Sequence, residues 1–108
     1  MNKKIINTVL TVLGVFASCA VMAQAYPNKP IALVVPQAAG GTNDIVARLI
    51  APSYGDAIGT SIVVENKPGA GGNIGTQAVA RSPKDGYTIL LTINSAQAIN
   101  PALYKNPG

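Results

Sequence analysis

Twice along this chain a short aliphatic run stops at a loop carrying paired glycines, and each loop opens directly into a helical pattern. The first unit is Ile31-Ala32-Leu33-Val34-Val35, stopped by Pro36, with Gly40-Gly41 before Thr42. The second is Ser61-Ile62-Val63-Val64-Glu65, then Asn66-Lys67-Pro68-Gly69-Ala70-Gly71-Gly72 before Asn73. The continuous apolar run Ile31–Val35 is typical of a strand covered on both faces. A strand that returns through a helix lies parallel to its neighbour, with a right-handed crossover. Few folds satisfy both conditions.

The first helical pattern places Ile45, Val46, Leu49, Ile50, Ala57 and Ile58 at helical spacing, which predicts an apolar stripe. Thr42 or Asn43 can cap it, with Asp44 in the first turn where negative charge is favoured. Pro52 lacks an amide hydrogen and clashes with the Arg48 carbonyl, so a kink or break is expected near Ala51. The second helix is expected from Asn73, as its cap, to about Arg81, with Ile74, Ala78 and Val79 as its apolar stripe. Ser82 to Gly86 form a turn, and Tyr87 to Thr92 a third strand. Asn94-Ser95 can cap a short last helix that Pro101 limits. The order β-α-β-α-β assigns the α/β class with a parallel sheet. With no Trp, and the lone Phe16 near the start, the core is built from Ala, Val, Ile and Leu.

The first 25 residues read as a secretory signal peptide, which leaves 26–108 as the folded part. Lys3 and Lys4 make a basic start, Ile5 to Ala17 an apolar stretch, and Ala23-Gln24-Ala25 a small-residue cleavage site. The stretch is shorter than the roughly 20 residues that span a bilayer. Phe16-Ala17-Ser18-Cys19 only loosely resembles a lipobox, and Cys19 is the single cysteine, so cleavage leaves a thiol-free chain suited to an oxidising compartment. Six basic residues and four acids remain after Lys3 and Lys4, and the bases are scattered, which speaks against a nucleic-acid partner.

In a parallel sheet the carboxyl ends of the strands share one edge, where ligands bind. A helix N-terminus there offers unpaired N–H groups and partial positive charge, and glycine permits close approach. For one loop alone, a tight turn explains the glycines equally well; two on one edge favour a carboxylate or phosphate site. Gly69 to Gly75 nearly reads G-x-G-x-x-G, but the acid expected after the next strand is missing, so no nucleotide is implied. With no histidine there is no Ser-His-Asp set and no histidine ligand for a metal. Asp44, Asp56, Glu65 and Asp85 belong to different elements, so neither an enzyme nor a cofactor is expected. Asp44 has two open readings, helix-dipole pairing or orientation of a ligand.

Tyr26-Pro27-x-Lys29-Pro30, Val34-Val35-Pro36-x-x-x-Gly40-Gly41-x-x-Asp44-Ile45-Val46-Ala47-Arg48 and Val63 to Gly75 resemble the Bug family, receptors of the tripartite tricarboxylate transporter type. Asp85-Gly86-Tyr87-Thr88 and Ala98 to Tyr104 continue the likeness. The resemblance implies a two-lobed periplasmic binding protein that holds a small carboxylate and delivers it to membrane transporter subunits. It points to Gly40, Gly41, Thr42 and Asp44, to Ala70, Gly71, Gly72 and Asn73, and to Ser95 in a third loop as ligand-binding positions. Gln37, Asn43, Pro52, Ala96 and Gln97 depart from the family pattern. Family members are about three times as long, so the expectation is an incomplete first lobe from a truncated copy. The alternative is a ligand-free periplasmic interaction module or a non-functional fragment.

Overall fold

The computed structural model describes Lys3 and residues 25–103. The apolar leader, Cys19, most of the cleavage site and Tyr104 lie outside them. Three strands, β1 (Ile31–Val35), β2 (Ile62–Asn66) and β3 (Thr88–Leu90), form a parallel sheet in the order β2-β1-β3. Ile31 faces Ile62 and Val35 faces Asn66, while Ala32 to Val34 face Thr88 to Leu90. The expected α/β class and strand order along the chain are observed. The third strand is shorter than Tyr87 to Thr92, although the Tyr87 carbonyl and Leu91 N–H still bond to Ala32 and Val34.

β1 is central, and its unbroken apolar run is the reason. Ile31, Leu33, Val34 and Val35 are all buried, which a strand covered on both faces requires. Leu33, Val35 and Ala47 make the buried cluster, with Ile62, Val64, Ile89 and Leu91 packed against it.

α1 (Thr42–Ile58) crosses from β1 to β2, and α2 (Asn73–Ala80) from β2 towards β3. The predicted stripe of α1 is not the buried one. Asp44, Ala47, Ala51 and Gly55 face the sheet, whereas Ile45, Val46, Leu49 and Ile50 are exposed, Leu49 by 76%. Small side chains bring a helix close to a sheet, and closeness here outweighs apolar bulk. The stripe expected on α2 differs similarly: Asn73 and Gly75 are its buried residues, and Ile74 is exposed. The expected break near Ala51 is absent, since α1 runs through Pro52. Pro52 is exposed, so water can reach the carbonyl it deprives of a partner. Ala47 before it and Gly55 after it remain seated on the sheet.

Beyond β3, a π-helical turn spans Ser95–Ile99 and a short α3 spans Asn100–Leu103. Pro101 falls in the first turn of α3, where its missing N–H costs little. At the sheet's opposite edge, the Tyr26 hydroxyl donates to the Gly86 carbonyl at 2.7 Å. The Tyr87 hydroxyl donates to Asn28 Oδ1 at 2.9 Å, and the Lys29 ammonium lies 4.4 Å from the Tyr87 ring centre. The lead-in segment is thereby fastened to the turn before β3.

Two substitutions test this packing. Pro52→Ala should stabilise the fold by about 2 kcal/mol, because the roughly 3 kcal/mol helix penalty of proline exceeds its unfolded-state benefit of about 0.4–1 kcal/mol. Gly75→Ala should destabilise. A Cβ there would meet the Lys67 carbonyl at 2.7 Å and Pro36 at 2.7 and 2.8 Å. Overpacking of that kind costs about 1–3 kcal/mol, against a helix-propensity gain of at most about 1 kcal/mol. Urea unfolding of each variant beside the parent measures both signs.

Candidate functional site

Loop 1 runs from Pro36 to Gly41, where β1 ends and α1 begins. Neither Thr42 nor Asn43 caps α1. The cap position is Gly41, with no side-chain hydrogen bond. Asp44 serves the loop instead: its Oδ2 accepts the Gly40 N–H at 2.8 Å. Its Oδ1 accepts from Arg48 Nε at 3.0 Å and from Asn66 Nδ2 at 3.0 Å. A carboxylate one turn inside the helix reaches back further than a hydroxyl at the cap, and Gly40, with φ of 84°, turns its N–H inward to meet it.

Asn66, the last residue of β2, joins the two loops. It donates to Asp44 and to the Gln37 carbonyl at 3.1 Å, and its Oδ1 accepts from Arg48 Nη2 at 3.1 Å. The Lys67 N–H donates to the Val35 carbonyl at 2.9 Å. The start of loop 2 is therefore stitched to the end of β1. Asp44 is only 4% exposed. The Gly40 N–H, then Arg48 and Asn66, hold its carboxyl well below the usual range, at about 2, against the raising effect of burial.

Loop 2 holds four consecutive residues at positive φ: Gly69 at 128°, Ala70 at 47°, Gly71 at 63° and Gly72 at 97°. Glycine adopts such angles freely, and Ala70 is the one residue in the row that does not. Successive N–H groups in a turn of this kind form a concavity suited to an anion. Ala70–Gly72 is a 3-10 turn that hands over to α2 at Gly72, so Asn73 is not the cap. Asn73 is buried, and its Oδ1 accepts from Asn100 Nδ2 at 2.8 Å. Asn100 also donates to the Gly71 carbonyl at 2.9 Å. The segment after β3 is tied to loop 2 by these bonds, and Ser95 lies at its beginning.

Gly40, Gly41, Thr42 and Asp44 thus share one sheet edge with Ala70, Gly71, Gly72 and Asn73, and the backbone of Ser95 belongs to the segment that closes over loop 2. The side chains of Asp44 and Asn73 are already occupied by protein donors, whereas the first N–H groups of α1 have no partner within the helix. Arg48 and Asn66 were not foreseen as parts of this site. The Asp44-to-Arg48 spacing of four is a helix-face pair that could have flagged Arg48. Asn100, 27 residues from its partner, gave no sequence signal.

Two more unforeseen features stand out. Asn43 Nδ2 and Thr92 Oγ1 are shielded from solvent without any hydrogen-bond partner. A separate open cleft of about 740 Å³ runs between α1 and β2, from Arg48 to the turn at Gly59 and Thr60. It flanks the sheet rather than crowning the loop edge. Among the described residues there is no group of three or more metal-ligating side chains, and no helix long and apolar enough to cross a membrane.

The family described as "Tripartite tricarboxylate transporter family receptor" matches residues 46–107. Protein BugT of Bordetella pertussis is 46% identical over 92 residues, covering 81% of this chain and 28% of BugT. The solved periplasmic binding protein BugD is 54% identical, with a TM-score of 0.74 over 77% of this chain and 27% of BugD. An R. palustris protein solved with adipate is 41% identical, with a TM-score of 0.63 over 66% of this chain and 24% of that one. The chain spans less than a third of the length of each of these relatives.

The Asp44 clasp predicts an acid response. The folded state lowers this carboxyl to about 2 from 3.8, so its stabilising effect is complete above about pH 4 and is lost as pH falls towards 2. Asp44→Asn should lower the urea midpoint at neutral pH and flatten its fall between pH 4 and 2. Midpoints of both proteins at four pH values across that window check the sign.

Proposed function

This chain belongs to the tripartite tricarboxylate transporter receptor family, and we propose that its two glycine loops hold a carboxylate of a small organic acid. The observation that carries this reading is the pairing of loop 1 and loop 2 on one sheet edge, each opening into a helix. The N–H groups around Gly41 and Thr42 lie at the positive end of α1, and those of Ala70 to Asn73 at that of α2. Both ends favour a negative group, and backbone donors need no charged side chain to hold it.

Within this reading Asp44 positions loop 1 rather than touching the ligand. Its oxygens are filled by Gly40, Arg48 and Asn66, and a second carboxylate beside it would be repelled. Asn73 likewise presents its backbone while its side chain holds Asn100. Ser95 belongs to the third wall. Capture is non-covalent, with no bond made or broken, and the bound acid passes to membrane transporter components. The compartment is the periplasm, reached through the leader of residues 1–25, and residues 26–108 form part of a first lobe. The family's receptors are solute-binding proteins, and the carboxylate bound by the R. palustris relative supports that class of ligand here.

Titration of the purified chain with adipate and malate, read by thermal unfolding, tests the reading. The diacids should raise the midpoint, and dimethyl adipate, which has the same carbon chain but no anion, should not. Equal shifts from acid and ester, or none from either, would overturn it.

A further inference from the structure

A strand at the end of a sheet leaves one row of backbone groups without a ladder partner, and such an edge invites another strand. β2 ends the order β2-β1-β3, and no strand lies beyond it among the described residues. The Ile31 N–H donates to the Ser61 carbonyl and the Lys67 N–H to the Val35 carbonyl, both at 2.9 Å. Backbone groups alternate sides along a strand, so Ser61, Val63, Glu65 and Lys67 face β1. Ile62, Val64 and Asn66 therefore turn their N–H and C=O groups outward. Ile62 and Val64 also line the open cleft between α1 and β2.

The two ends of this cleft carry opposite charge. Arg48 marks the carboxyl end of β2, where its Nη2 donates to Asn66 Oδ1 at 3.1 Å. Asp56 marks the amino end, next to Gly55, which sits against the Thr60 carbonyl and Ile62. The Arg48 side chain is 56% exposed, so it can meet a second anion. A two-fold axis through the β2 edge exchanges the two ends, and brings Arg48 of one copy towards Asp56 of another. Val63, whose side chain alternates to the other face, is 47% exposed and would gain cover.

We propose that β2 is a dimer edge: two copies of this chain join antiparallel through β2, about a two-fold axis at Val63, into one continuous sheet. In that register Ile62 pairs with Val64 of the second copy, and Val64 with its Ile62, through the outward backbone groups. Val63 meets its own counterpart, and Glu65 stands opposite Ser61. Centring on Glu65 would set the two carboxylates face to face, and centring on Val64 would make them diagonal neighbours, both unfavourable. A peptide from another protein could use the same backbone groups but would not bring the reciprocal Arg48–Asp56 match, which a self-complementary interface supplies twice. The proposal is independent of the carboxylate reading.

Sedimentation equilibrium of the purified chain should give twice the mass of one chain. Val63→Lys, which sets two ammonium groups at the axis, should give the mass of a single chain while circular dichroism stays parental. Asp56→Lys should lower the dimer fraction. Position is read by cysteine cross-linking in a Cys19→Ser background. Val63→Cys should oxidise to a disulfide-linked dimer, because directly opposed residues of a non-hydrogen-bonded pair have Cα atoms about 4.5 Å apart, within disulfide reach. Glu65→Cys should not, since its counterpart lies roughly 13 Å further along the strand. A single-chain mass for the parent at every concentration would overturn the proposal. So would a dimer that survives Val63→Lys, or cross-linking of Glu65→Cys as fast as that of Val63→Cys.

Discussion

Everything at the loop edge depends on one buried carboxylate. Asp44 bonds to three pieces of chain at once: the Gly40 amide of loop 1, the helix through Arg48, and the end of β2 through Asn66. A charge this deep is tolerated only when its lone pairs are filled, and here donors reach both oxygens. Arg48 is more than half exposed, so the ion pair alone carries little. The hydrogen bonds from Gly40 and Asn66, both part-buried, complete the clasp. The same bonds keep the carboxyl ionised down to about pH 2.

The clasp works because the sheet beneath it is rigid and the helices sit close. β1 is covered on both faces, and Ala47, Ala51 and Gly55 let α1 settle on the sheet while its larger side chains face outward. On the other side Gly75 brings α2 against Pro36 and the Lys67 carbonyl, which fixes loop 2 beside loop 1. Small residues thus determine where the two helix N-termini lie. The helix N-termini in turn determine what chemistry the edge can support.

The strand order along the chain, the α/β class and both glycine loops were legible, because aliphatic runs, glycine pairs and prolines are local signals. The sided packing of α1 was not. Ile45, Val46, Leu49 and Ile50 have the right period for a buried stripe, and only the sheet's demand for closeness selects Ala47 and Ala51 instead. Pro52 misled for a related reason: its local penalty is real, but tertiary contacts on both sides of it outweigh that penalty. The caps misled too. Thr42, Asn43 and Asn73 are good capping residues by type, yet Asp44 and the glycines took that role. Long-range partners such as Asn66 with Asp44 and Asn100 with Asn73 leave no local mark in a single sequence.

A site built largely from backbone donors has a consequence for selectivity. Peptide N–H groups are the same in every relative, so a pair of glycine loops can fix the class of ligand but not its identity. The side chains of Asp44 and Asn73, two of the expected ligand-binding positions, are taken up with holding the loops in place.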